Sequence, residues 1–254
     1  MKHDGETPLT PPAAPSGAAA VFGDRIELAE RFAAILADTG VSHGLIGPRE
    51  VPRLWERHVL NCAVVEDAFP EDARVIDVGS GAGLPGIALA VARPDLEVLL
   101  VEPMLRRTTW LEGVVAELGL RSVTVHRGRA EELAGSLSAP WVTARAVARL
   151  DKLARWCVPL LEEGGTLVAM KGRSAAEELG EDAAALGRLG LGEGVVTEHG
   201  GDVLEEPVLT VDLRLERRRE RGGAGRRSKG PGSRRAGSRR RRAGRAGGEP
   251  GRQD

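Results

Sequence analysis

The chain has 254 residues, 36 Lys+Arg and 37 Asp+Glu, and its formal net charge of −1 conceals two opposed regions. Residues 214–254 carry 16 Lys/Arg against 4 Asp/Glu, which leaves 20 against 33 in the first 213, so an acidic body precedes a strongly basic tail. Two distant cysteines, the absence of any window near the roughly 20 apolar residues of a membrane span, and an N-terminus without an apolar leader argue against a disulfide framework, a membrane protein and a secretory signal. They predict a cytoplasmic protein with free, buried thiols and no metal cluster.

Residues 1–23 are rich in Pro, Ala and Gly without periodicity and are expected to be disordered. From Asp24 to Gly40, Ile26, Leu28, Phe32, Ile35 and Leu36 fall near one helical face, with Asp24 as N-cap and Gly40 past the end. A second helix is expected from about Pro52. Five β-rich runs follow, RVIDV, LEVLLVE, SVTVHRG, WVTARAV and TLVAMKG, separated by helical patterns that begin near Pro85, Met104, Asp151 and Ala175. GVVTEHG and EPVLTVDLRLE close the body as an antiparallel edge hairpin. Strands alternating with helices predict an α/β fold, a mostly parallel seven-stranded sheet covered on both faces. The body spans 24–215, and 216–254 is expected to be a disordered Arg/Gly-rich tail, of a kind that tracks nucleic-acid phosphates or serves only solubility.

In open parallel sheets a ligand lies beyond the carboxyl ends of the strands. That selects Gly79 to Leu84, Glu102, Arg127 to Glu131, Arg145 and Lys171. The first of these loops parses as G-x-G-x-G from Gly79 or as G-x-G-x-x-G from Gly81, and neither match is specific alone. Two details favour the former. RVIDV ends at Val78, so the tight turn begins at Gly79, and Pro85 has no N–H to offer a pyrophosphate. Glu102, roughly 20 residues on, can accept from ribose hydroxyls, and GRAEEL sets a small residue beside a carboxylate that can face an adenine. Adenosine without phosphates fits the three loops. S-adenosylmethionine has that chemistry, and its sulfonium and amine tolerate carboxylates.

The segments DVGSGAGLPGI, HRGRAEEL, TARAV and AMKG, in this order, with RHVLNCAVV upstream, resemble the GidB/RsmG family of bacterial 16S rRNA guanine-N7 methyltransferases over about Asp24 to Leu215. The resemblance implies a Rossmann-like class I methyltransferase fold. It also implies S-adenosylmethionine as cofactor, 16S rRNA or the small ribosomal subunit as partner, and methylation of the guanine at position 527. By motif, Gly79 and Leu84 contact the cofactor, Gly81 and Gly83 shape the turn, Ala130 and Glu131 border the adenosine, and Arg145 lies near the methyl donor. Many relatives carry Asp where this chain has Glu102. The basic tail has no counterpart in these motifs.

Guanine N7 presents an in-plane lone pair and no hydrogen, so no general base is required and the residues that matter are positioning donors. The region after the fourth strand reads TARAV where adenine-N6 enzymes carry [DN]-P-P-[YFW], the chain has no tyrosine, and Cys62 and Cys157 lie in helical patterns away from the strand ends, where a C5 nucleophile would be needed. Arg145 can donate to guanine O6, or else pair with Glu102 or Glu131. Lys171 can hold a phosphate or O6, or be solvated, and His58 and Arg57 can cap the acceptor pocket. Arg53, Arg106 and Arg107 are candidate phosphate contacts, and Trp55, Trp110, Trp141 and Trp156 read as packing residues. A small-molecule methyltransferase and a non-catalytic RNA-binding protein are the competing readings.

Overall fold

The computed structural model describes residues 9–145 and 148–216. Their centre is a seven-stranded sheet of order β3-β2-β1-β4-β5-β7-β6. Its strands are β1 (Arg74–Val78), β2 (Glu97–Glu102), β3 (Val123–Arg127), β4 (Ala139–Arg145), β5 (Leu161–Lys171), β6 (Val195–His199) and β7 (Val208–Arg214). The first five are mutually parallel, and β7 runs antiparallel to both β5 and β6. This is the sheet the alternation of elements led us to expect, with the hairpin at one edge.

Among the described residues eight α-helices flank it: α1 (Ala18–Phe22), α2 (Ile26–Ile35), α3 (Leu60–Ala63), α4 (Gly86–Ala92), α5 (Leu105–Leu118), α6 (Ala130–Leu133), α7 (Leu150–Cys157) and α8 (Ala175–Arg188). Side chains alternate across a strand, so the central strands feed two cores. Val75, Val98, Leu100 and Val168 pack with α1 to α5 on one face, while Ile76, Val78, Leu99 and Val101 pack with α6, α7 and α8 on the other. Double coverage explains why β2 reads as a nearly unbroken apolar run. Both cysteines are buried and free.

Three expectations need correction. Residues 9–23 are not disordered: Ala18 and Phe22 are buried, the Phe22 ring meets Trp55 edge-on at 6.3 Å, and Trp55 Nε1 donates to the Pro12 carbonyl at 3.0 Å. A five-residue helix has no independent stability, so burial against Trp55, 33 positions along the chain, is what orders it. The boundary at Asp24 therefore falls inside the packed body, and residues 1–8 lie outside the described residues. Asp24 does not cap a helix, because it occupies a 3₁₀ turn (Gly23–Arg25) that joins α1 to α2. Gly40 belongs to a π turn (Leu36–Gly40) that prolongs α2, and its carbonyl accepts from Leu45 N at 2.8 Å and Ile46 N at 3.2 Å.

β5 also begins earlier than its sequence suggests. Glu162, Glu163, Gly164 and Gly165 look like a turn, yet the strand passes through them. Gly164 takes φ +76°, and a Cβ on Gly165 would lie 2.6 Å from the Pro140 carbonyl oxygen, so glycine here permits a close strand approach.

Candidate active site

The carboxyl ends of β1, β2, β4 and β5, together with the helical segment before α3, converge on two structures of different kinds. The first is the turn between β1 and α4. Gly79, Gly81 and Gly83 adopt φ of +76°, +53° and +78°. Those values lie in the left-handed region, which glycine reaches without the Cβ penalty. The alternation at 79, 81 and 83 is thus the pattern the backbone uses. Gly86 serves a different need: a Cβ there would lie 2.3 Å from Leu100 Cδ2 and 2.8 Å from Asp77 Oδ2, so its absence lets α4 start directly against β1 and β2.

The turn spends its own donors. The N–H groups of Gly79 and Ser80 reach the Val101 carbonyl, those of Gly83 and Leu84 the Ser80 carbonyl, and that of Ile87 the Gly83 carbonyl. Gly81 N donates to Glu102 Oε2 at 3.1 Å, and Gly86 N to Asp77 Oδ2 at 3.0 Å. Pro85, the N-cap of α4, has no N–H. A pyrophosphate requires free amides converging on it, and this loop instead rests on two buried carboxylates.

Asp77 is fully buried, and burial pushes its carboxyl up to about 7 against the opposing pull of the Gly86 N–H, the nearby Ser80 hydroxyl and the Arg145 guanidinium. Its Oδ1 has no hydrogen-bond partner, an unusual state for a buried oxygen. The sequence reading did not assign Asp77 a role. The available signal was an ionisable residue in the middle of RVIDV, a strand buried on both faces. Glu102, 2% exposed, bonds Gly81 N with one oxygen and Met104 N with the other at 3.1 Å, and Arg107 Nη1 lies 3.5 Å from Oε2. Glu102 therefore ties the β2 end to the glycine turn. Arg107 turns inward to Glu102, which corrects its reading as a phosphate contact. Arg53 and Arg106 are exposed.

Leu84 is buried in the core beneath the turn, and Ala130 is buried at the start of α6 while Glu131 next to it is exposed. Gly128 N donates to the Glu102 carbonyl at 3.2 Å, so the loop after β3 adjoins the loop after β2.

The second structure is made of side chains. Arg145, at the end of β4, pairs with neither Glu102 nor Glu131. Its Nη1 donates to the Arg57 carbonyl at 3.0 Å and its Nη2 to His58 Nδ1 at 3.3 Å. His58 Nε2 in turn lies 3.0 Å from Glu50 Oε2. Burial and the Arg145 charge hold the His58 imidazole below its ordinary pKa, although Glu50 pulls the other way. The structure thus sets His58 and the Arg57 carbonyl against the Arg145 guanidinium.

Lys171 is placed otherwise than expected. Its Nζ donates to Glu178 Oε2 at 2.7 Å and to the Ala148 carbonyl at 2.8 Å, and its side chain is 7% exposed. A buried ammonium needs a carboxylate partner, and Glu178 supplies it from α8. Lys171 therefore anchors the segment after β4 rather than presenting a free charge to a phosphate or to O6. Trp55 and Trp110 are buried, and Trp141 and Trp156 half-buried, as packing residues. Among the described residues there is no metal-binding cluster of His, Cys, Asp or Glu, and no helix long and apolar enough to cross a membrane.

A protein-family model described as rRNA small subunit methyltransferase G (GidB) matches residues 25–200. Similar curated proteins carry the name ribosomal RNA small subunit methyltransferase G. That of Salinispora tropica is 52% identical over 85% of this chain and 96% of its own length, and that of Streptomyces avermitilis 54% identical over 86% and 92%. Among solved structures, the S-adenosylmethionine-dependent methyltransferase SibL shares 17% identity at a TM-score of 0.54, covering 80% of this chain and 70% of its own. A SAM-dependent methyltransferase from Aquifex aeolicus shares 19% at 0.50, covering 68% and 98%. At these identities the structural likeness is one of fold.

Proposed function

Because the chain belongs to the rRNA small subunit methyltransferase G (GidB) family, we propose that it methylates N7 of a single guanine in 16S rRNA, with S-adenosylmethionine as the donor. The observation that carries the donor side of this reading is the glycine turn, in which the amides of Gly79, Ser80, Gly81, Gly83 and Leu84 are bonded within the protein and which is backed by the carboxylates of Asp77 and Glu102. Such a site disfavours a diphosphate and suits a cationic ligand on an uncharged sugar. The unpartnered Asp77 Oδ1 is an orphan acceptor of the kind an ammonium satisfies. The turn from Gly79 to Leu84 would hold the donor, with Glu102 at its ribose and Ala130 and Glu131 beside its base. When bound, S-adenosylmethionine supplies an electrophilic methyl group.

The protein's own contribution is alignment. Guanine N7 carries no proton, so none of these residues has to accept one, and holding the acceptor in line can supply roughly 7–11 kcal/mol in favourable cases. Arg145 retains N–H groups beyond those given to Arg57 and His58, and these can donate to guanine O6 while leaving N7 open; bidentate binding of O6 and N7 would block the reaction. A single-stranded loop presents a base that can be splayed out at modest cost. Residues beyond Glu216 lie outside the described structure, and their basic composition adds attraction to RNA phosphate without sequence preference. An enzyme acting on bacterial ribosomal RNA would work in the cytoplasm.

The test is incubation with methyl-labelled donor and either 16S rRNA or 30S particles, followed by nucleoside mapping. Label confined to 7-methylguanosine at one position is expected. Label in another nucleoside or in a free metabolite overturns the reading, as does retention of RNA without any binding of S-adenosylhomocysteine.

A further inference from the structure

Arg145 is held by a hydrogen bond whose direction is fully determined. Arginine has only donors, so His58 Nδ1, 3.3 Å from Nη2, must carry its lone pair. In the neutral ring the proton is then on Nε2, 3.0 Å from Glu50 Oε2, where it is donated to a carboxylate. Remove that carboxylate and the ring is free to take the other tautomer, with Nδ1–H facing the guanidinium and no acceptor there. We infer that Glu50 is a positioning residue for methyl transfer, selecting the His58 tautomer that keeps Arg145 at the acceptor side of the site.

The inference rests on the function proposed above, since it takes Arg145 to act on the guanine. Three further features support it. Glu50 lies in the 3₁₀ segment Pro48–Arg53, outside the sheet and its two cores, so the chain of contacts crosses from a surface turn to a strand end. The His58 side chain is 15% exposed against 34% for Glu50, which shields the imidazole while leaving the carboxylate reachable by solvent. Hydrogen bonding from His58 also holds Glu50 below the usual carboxylate range, which favours the carboxylate that accepts from Nε2.

Acid breaks the relay at a defined point. Protonating Nδ1 replaces an acceptor by a donor and sets a cation against Arg145. The charged groups that bear on the ring are Glu50 from the preceding turn, Arg57 from its own helix and Arg145 from β4. Arg53 and Arg57 act on Glu50, and the Arg145 charge also reaches Asp77 and Cys62. Asp77 titrates near 7 and contributes a limb of its own, so the informative quantity is the difference between variants.

The experiment measures kcat and KM against pH for methylation of 16S rRNA or 30S particles by wild type, E50A, E50Q, H58N and E50A/H58N. Thermal unfolding and S-adenosylhomocysteine binding serve as controls for the fold. E50A should lose about ten- to a hundredfold in kcat at pH 8, the scale on which small misplacements act, with unchanged donor binding. E50Q should recover most of that loss, because its amide oxygen still accepts from Nε2. In both, the acid limb attributable to His58 should move to lower pH, since Glu50 is what favours the imidazolium. In H58N the side-chain oxygen can occupy the place of Nδ1 and cannot titrate, so that limb should vanish and E50A should have no further effect. Nitrogen-15 spectra of the wild-type histidines should show His58 protonated at Nε2 and bare at Nδ1. An equal E50A loss in both backgrounds, or a proton on Nδ1, overturns the relay while leaving the methyltransferase reading intact. Wild-type protein that transfers no methyl to RNA overturns that reading, and the inference with it.

Discussion

The two sides of the proposed site are built from different materials. The donor side is mainly backbone: three left-handed glycines, amides bonded to the loop itself and to the end of β2, and an interior so tight that Gly86 has no room for a methyl group. The acceptor side is side chains. Arg145 is held by one carbonyl and one imidazole, and the imidazole by a partly exposed glutamate. Backbone geometry of the first kind fails as a whole when strained, because φ and packing permit few alternatives. A chain of side-chain hydrogen bonds fails link by link and responds to pH. The donor side should therefore give losses of binding and stability when altered, and the acceptor side losses of rate in a protein that still folds.

The harshest test of that division is Gly83→Val. Its φ of +78° is costly for a β-branched residue, and its Cβ would lie 2.4 Å from Ile87 Cδ1. Backbone strain and overpacking together cost roughly 2–5 kcal/mol, enough to lower Tm by about 5–15 °C in a domain of this size. Calorimetry should find no S-adenosylhomocysteine bound. Next in size is Arg145→Ala. It should lower kcat by about a hundredfold or more, the scale of losing one charge-stabilising donor, while donor affinity and Tm stay near wild type. Normal turnover in that variant would remove Arg145 from the mechanism, and lost donor binding would show that the two sides are not separable.

The same division governs what could be read from the amino-acid order. Strands β1 to β5 and the starts of α4, α5, α7 and α8 follow from local apolar periodicity, and the glycine turn from the simple fact that a left-handed position favours glycine. Contacts between side chains far apart in the chain leave no such trace. Arg145 and His58 are 87 positions apart, and Leu150 donates to Glu178 across 28. Nothing near Lys171 announces that Glu178 will neutralise it, and nothing in PREVPR marks Glu50. The N-terminal segment was misread for a related reason: Ala18 and Phe22 have no local amphipathic pattern and become ordered only through Trp55. Asp77 is the exception among the omissions, because a carboxylate within a doubly covered strand is visible without a structure.

Asp77 also offers a subtler test of the donor side. Its pKa rises from about 3.8 to about 7 on folding, so the folded state holds a proton that the unfolded chain has released throughout that interval. Stability from this group is therefore fully present below about 4 and declines as pH rises towards 7. In Asp77→Asn the amide oxygen can still accept from Gly86 N, and the buried charge is gone. The variant without ligand should melt a few degrees above wild type at pH 8, lose the decline between pH 4 and 7, and bind S-adenosylhomocysteine more weakly at pH 8. A melting curve with wild-type pH dependence would place the titration elsewhere.

The mildest perturbation is removal of the basic tail, and it sharpens the comparison because it should touch only the acceptor side. The cut belongs after Glu216 rather than after Leu215, since Glu216 N donates to the Gly190 carbonyl at 2.9 Å and Leu215 is fully buried. What is lost is a sequence-independent attraction. Each phosphate contact removed should lower the slope of log affinity against log salt by about 0.7 to 0.9. The truncated protein should thus bind rRNA less tightly at low salt, approach wild type as salt rises, and show unchanged S-adenosylhomocysteine affinity and an unchanged kcat at saturating RNA. An unaltered salt slope would mean that the phosphates are met by the folded body, with exposed Arg53 and Arg106 the first residues to examine. A fall in kcat at saturation would mean that the tail also helps to orient the base.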